Sequence, residues 1–193
     1  MFTTIIHAVV GLSIAVTILV PIIFVTFLRR WEQDIGIVSV IFNTIPALTW
    51  ILLLVSLFGV FSSLPIVFTV SLTVLPILLP TASGSVRTFI GRLMELAKLV
   101  NAPASRSFRF LVLPVYRPLI ISYVRAGLGF AVKMTMVAEA FTASSGLGAR
   151  MMLAYSLGNF AQLIALSIFA VILAVGIDAI QRVVLGWKRD WNL

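Results

Sequence analysis

Two charged residues inside an apolar run are the first candidates for chemistry in this chain. Lys133 and Glu139 lie within the stretch 119–141, where Arg125 is the only other charged side chain. A cation held at membrane depth is expensive, and it marks a cavity, a partner or a bound anion. Lys133 therefore suits contact with an anionic substrate or a salt bridge across a dimer. The competing reading pairs it with Glu139 or with backbone carbonyls for structure alone. A same-helix pair is poor, because Glu139 sits about 120° around a helix from Lys133. Asn43 is a further polar contact inside an apolar run, and with Lys133 and Glu139 it completes the candidate substrate pathway. Arg125 is read as snorkelling toward an interface. Asp178 and Arg182, at i and i+4, read as an intrahelical ion pair, and His7 as structural.

Several chemistries are excluded. The chain has no Cys and one His, which removes disulfides, thiolate metal sites and two-histidine metal motifs. Neither Gly-x-Ser-x-Gly nor His-Glu-x-x-His occurs, nor a pair of mid-membrane aspartates, so an intramembrane enzyme ranks last. Lys98, Lys133 and Lys188 follow Ala97, Val132 and Trp187, so no phosphate-binding loop exists here. No residue is assigned a catalytic role. Gly146-Leu147-Gly148 lacks the third glycine of a dinucleotide fingerprint, and a tight turn is expected there.

The elements that must carry these residues are membrane helices. Of 193 residues, 61% are hydrophobic and 10% charged, with a mean hydropathy of +1.18. Soluble domains carry roughly 25% charged residues, so lipid is the expected solvent. A spanning helix needs about 20 mostly apolar residues. Windows near 5–28, 36–58, 64–80, 119–141 and 163–185 meet that need, and Pro65, Pro76 and Pro80 predict a kinked third helix. Continuous rather than alternating runs argue against a β-barrel. The reading is an all-α membrane protein with about five spans, forming a single transmembrane domain over 1–193. It carries a cytoplasmic insert at about 86–117 and an outer polar loop at about 142–162. No cleavable leader is evident.

Basic residues orient the bundle. With the N-terminus outside, Arg29, Arg30, all of 86–117, Arg182, Lys188 and Arg189 lie in the cytoplasm, and Arg150 lies outside. The opposite orientation would export those clusters against the positive-inside bias. Trp31, Trp187 and Trp191 beside them suit interfacial anchoring. N-outside and C-inside is the expectation.

The cytoplasmic insert reads as two short helices with a corner. Thr88 to Val100 puts Phe89, Leu93, Leu96 and Val100 on one face. Asn101 stops that helix, since Asn tolerates φ > 0, and Pro103 suits the first turn of the next. Such a loop can dock a helix into a groove on a cytosolic partner.

Here the chain resembles the permeases of binding-protein-dependent ABC importers. Their cytoplasmic signature is Glu-Ala-Ala, three residues, Gly, nine residues, then Ile-x-Leu-Pro. This chain has Glu95-Leu96-Ala97, Asn101 in place of the Gly, and Leu111-Val112-Leu113-Pro114 at the matching distance. The runs Ala138-Glu139-Ala140, Ala143 to Gly148 and Asn43 to Leu48 resemble the nitrate, sulfonate and taurine branch. Most members of that branch have six spans, one N-terminal helix more than the five read here.

The resemblance implies a pore subunit of type I importer architecture in a prokaryotic cytoplasmic membrane. It would pair with a second copy or a homologous permease, with ATP-binding subunits gripping the Glu95–Val100 helix, and with an external solute-binding protein. It implies ATPase coupling through Glu95, Leu96, Ala97, Asn101, Leu113 and Pro114. ATP and Mg would be bound by the partner and no cofactor by this chain. The cargo would be a small nutrient, with an anion such as nitrate, a sulfonate or taurine favoured over thiamine- or flavin-like compounds. An ATP-independent secondary transporter or channel is the alternative; such proteins usually show internal repeats and midplane charges.

Overall fold

In the computed structural model, residues 2–29, 32–60, 62–85, 103–107, 109–110, 113–143 and 145–184 are described. The helix read over Thr88–Val100, with Glu95, Leu96, Ala97 and the Asn101 corner, lies outside them. The described residues form helices α1 (Phe2–Arg29), α2 (Glu32–Thr44), α3 (Ala47–Phe58), α4 (Ser63–Ser85), α5 (Ala104–Ser107), α6 (Leu113–Thr142), α7 (Leu147–Ser156) and α8 (Phe160–Val184).

Among the described residues, three stretches are long and apolar enough to cross a membrane: Phe2–Ile22, Ser63–Pro80 and Phe160–Gln181. The α2–α3 pair makes a fourth if taken as one bent span. The window read as one helix over 36–58 is broken by a 79° bend. The cause is local. Proline disfavours the helical region for the residue before it, so the chain leaves α2 at Ile45-Pro46 and starts α3 with Pro46 at the cap. Phe42 and Trp50 stack across the corner with centroids 5.7 Å apart. Each half, at about 1.5 Å per residue, is too short to span alone. α4 runs as one helix through Pro76 and Pro80, and Pro65 falls in its first turn, where a missing N–H costs nothing. α6 is 30 residues long but carries Arg117, Arg125, Lys133 and Glu139.

Helix directions follow from contacts. His7 Nε2 lies 3.3 Å from Ser63 Oγ, Gly11 packs against Val70, and Leu12 sits near Val74 and Leu78, so α1 and α4 run parallel. Gly127 of α6 meets the same Leu12 and Leu78, while Glu139 reaches Thr4, so α6 runs the other way. α7 turns the chain at the end of α6, and α8 descends to bring Asp178 beside Arg125. One end of the bundle therefore collects Phe2, Phe58, Ser63 and α7. The other collects Arg29, Ser85, Leu113 and Val184, beside which the basic clusters of the sequence fall.

The core is the seam between α1, α4 and α6. Ala8, Leu12, Ala15 and Leu19 pack with Val70, Val74, Leu78, Ala131 and Val132. Lipid tails are as apolar as these side chains, so close van der Waals fit rather than water exclusion holds the seam. Small residues make the fit possible. Ser71 Oγ donates to the Gly11 carbonyl at 2.9 Å, a bond across helices that a larger residue at position 11 would push apart. A second cluster of Ile51, Ile66 and Ala138 ties α3 to α4 and α6.

The chain lacks cysteine, so single replacements test these directions cleanly. Cysteines replacing Ser62 and Ser156 should react with an impermeant maleimide from one side of sealed vesicles, and one replacing Ser85 from the other. Labelling of Ser62 and Ser156 positions from opposite sides would contradict the fold.

Candidate functional site

α6 presents two different faces. Its buried face carries Tyr123, Gly127, Ala131, Thr135, Glu139 and Thr142, at helical spacing of three to four residues. Its opposite face carries Ser122, Ala126, Gly129, Lys133, Val137 and Phe141, all exposed. The small residues of this helix thus divide: Gly127 and Ala131 serve packing, while Ser122, Ala126 and Gly129 line the Lys133 stripe. Asn43 is likewise exposed, on α2. Pro114 is exposed at the start of α6. Pro103 precedes α5, where its carbonyl accepts the Ser107 N–H at 3.0 Å, as expected for a proline opening a turn of helix.

Glu139 is fully buried, with 0% of its side chain exposed. Burying a carboxylate requires donors, and three converge on it. Thr4 Oγ1 donates to Oε2 at 2.8 Å, Gly148 N–H donates to the same oxygen at 3.2 Å, and His7 Nδ1 lies 3.1 Å from Oε1. Thr4 Oγ1 in turn accepts the Leu147 N–H at 2.9 Å. The His7 ring, 12% exposed, continues through Nε2 to Ser63 Oγ at the start of α4. One carboxylate thus joins α1, α4, α6 and α7.

The glycines around it are there for room. A Cβ on Gly148 would overlap the Met136 carbonyl, and one on Gly146 would strike the Glu139 carboxylate. Gly146 also takes φ of +117°, which L side chains avoid. The turn expected at Gly146-Leu147-Gly148 is present, and its second glycine serves close approach rather than turning.

Among the described residues, Arg125 Nη2 also pairs with Asp178 Oδ1 at 3.1 Å, linking α6 to α8. Arg125 was read as snorkelling and Asp178 as an intrahelical partner of Arg182. The structure instead gives them an interhelical bond, and the Arg182 side chain lies outside the described residues. At 20% and 44% exposure the pair is partly open, and solvent screening limits its worth.

Thr4 is the residue of this cluster that sequence reasoning passed over, and His7, read as structural, had no partner assigned to it. Their signal was phase: positions 4 and 7 fall on the same α1 face as Ala8, Gly11 and Ala15. Nothing in the sequence paired that face with Glu139.

Residues 23–189 match the family described as binding-protein-dependent transport system inner membrane component. The chain belongs to that family. It is also 26% identical over 186 residues to a provisionally named ABC transporter permease protein of Methanocaldococcus jannaschii, covering 93% of this chain and 69% of that one. A membrane component of a transport system is thus what these helices build. The match takes in Glu139, Gly148 and Lys133, while Thr4 and His7 precede its first residue.

Two glycine replacements separate packing from propensity. Gly148→Ala should destabilise the detergent-solubilised protein by ~1–3 kcal/mol through overpacking. Gly129→Ala, whose Cβ would meet nothing within 4 Å, should leave its thermal midpoint unchanged or raise it.

Proposed function

We propose that this chain is the pore-forming permease subunit of an ATP-driven importer in a prokaryotic cytoplasmic membrane. The observation that carries the reading is the family match across residues 23–189, which includes the cytoplasmic insert and α6 through α8. A relative named as an ABC transporter permease supports it. The insert holds Glu95-Leu96-Ala97, Asn101 and Leu113-Pro114 in the register of the importer signature. In this reading Glu95, Leu96 and Ala97 sit in a groove on an ATP-binding subunit, Asn101 makes the corner, and Leu113-Pro114 passes the movement into α6. That subunit binds ATP and Mg and performs the hydrolysis. Two permease chains, identical or homologous, enclose the path, and an external solute-binding protein delivers the cargo. The chain has five spans, counting the bent α2–α3 pair and α6, with the N-terminus outside and the basic end of the bundle in the cytoplasm.

Lys133 favours an anionic cargo, in keeping with the nitrate, sulfonate and taurine branch that the sequence resembles. It lies on the exposed α6 stripe between small residues and Val137, where a second permease chain would close the path. Asn43 is the other exposed polar candidate. We assign Glu139, enclosed by protein, to holding the outer end together.

Glu95→Lys reverses a charge in the docking helix, and like-charge contacts at an interface cost several kcal/mol. ATP-driven uptake should fall by about tenfold or more, with membrane insertion intact. Normal co-purification of the ATPase together with full uptake would remove the coupling role. For the pathway, Lys133→Ala should slow uptake of an anionic cargo by about tenfold, the loss of one charge-assisted hydrogen bond. Unchanged rate and selectivity would take Lys133 out of it.

A further inference from the structure

α7 is bracketed by two glycines with positive φ, Gly146 at +117° and Gly158 at +67°. L side chains rarely adopt such angles, and chain reorientation concentrates where glycine relieves them. Between the two lie the 10 helical residues of Leu147–Ser156. Neither hydrophobic cluster includes a residue of this helix. The seam of α1, α4 and α6 is therefore complete without it.

What holds α7 down is concentrated at its first turn. Leu147 N–H donates to Thr4 Oγ1, and Gly148 N–H donates to Glu139. These are groups a helix cannot satisfy within itself, and a carboxylate placed there meets the positive end of the helix dipole. The far end has no such anchor among the described residues. Ser156 Oγ turns back to the Met152 carbonyl, and Leu153, Tyr155 and Leu157 are exposed. Ala154, on the inner face of the helix, is buried.

We propose that Leu147–Ser156 is a hinged flap over the end of the bundle and that the Glu139 carboxylate is its latch. Breaking the bonds to Thr4 and Glu139 lets the flap turn about Gly146 and Gly158 while the three-helix seam stays packed. The permease reading enters only in what the movement serves, which is opening the outer end of the path. The latch is a property of the chain itself.

The test uses the full-length chain in membranes, with one cysteine replacing Ala154 on the inner face of the flap or, separately, Ala131 in the seam. Both alanines are buried. Glu139→Gln turns one acceptor oxygen into a donor, and Thr4→Val removes the Leu147 acceptor while keeping the shape. Each should raise the rate of modification by a small methanethiosulfonate at position 154, Glu139→Gln by about tenfold, as for loss of a charge-assisted hydrogen bond. Position 131 should stay unreactive in both. An unchanged rate at 154 in both variants overturns the proposal. So does an equal rise at 131, which would mean general loosening. Modification requires no transport, so the latch can fail while the permease assignment stands, and the permease assignment can fail while the latch stands.

Discussion

A carboxylate cut off from water must find donors inside the protein, and Glu139 finds them on two separate helices, α1 and α7. That demand sets the geometry of one whole end of the molecule. The apolar seam of α1, α4 and α6 is cohesive but not directional, since lipid offers these side chains equivalent contacts. Sliding α1 by a turn would keep much of that apolar contact. It would also take Thr4 and His7 away from Glu139 and leave a bare buried charge, which costs far more than a few lost contacts. Register therefore rests on the polar cluster, and tightness on the small residues at Gly11, Ala15, Gly127 and Ala131.

The two ends of the bundle differ in kind. At one end, neutral loops and the short α7 close over Glu139 through hydrogen bonds to backbone N–H groups. At the other, the helices end beside Arg29, Ser85, Leu113 and Val184, with basic residues clustered in the adjoining sequence. In the importer reading proposed above, a subunit worked by a separate motor needs such a division. One end must be wettable and projecting, to be gripped, and the other must be able to change its contacts. α6 joins the two directly, running from Leu113-Pro114 at the basic end to Glu139 and Thr142 at the latched end. A rigid helix of that length carries displacement between ends without needing any intermediate.

α6 also shows why charge count alone misleads in a membrane helix. Three of its charged residues take three different situations: Arg125 pairs across to Asp178, Lys133 stands exposed beside small residues, and Glu139 is enclosed. Each is an intramembrane charge by sequence, and the general expectation of function applies to all of them equally. Only Lys133 is left facing outward from the described bundle. That exposure is what supports the proposal that it meets a second chain or a cargo.

Much of the architecture was legible in the residues themselves. Apolar runs of spanning length located α1, α4 and α8, because backbone groups in lipid must be satisfied within the helix and leave little choice of structure. Pro103 announced the turn into α5, and Gly146-Leu147-Gly148 announced a turn before α7. The bend at Ile45-Pro46 was also written locally, yet the continuous hydropathy of 36–58 masked it, since hydropathy measures solvent and not direction. The pairings were not legible. Thr4 and Glu139, His7 and Ser63, and Arg125 and Asp178 are far apart in the chain, and a helical period tells which residues share a face but not which helix that face will meet. The sequence by itself thus determined the helices and their affinity for lipid, because both are local consequences of side-chain chemistry. The tertiary structure alone decided which buried charge would be satisfied and by whom, because that depends on how separate helices are brought together.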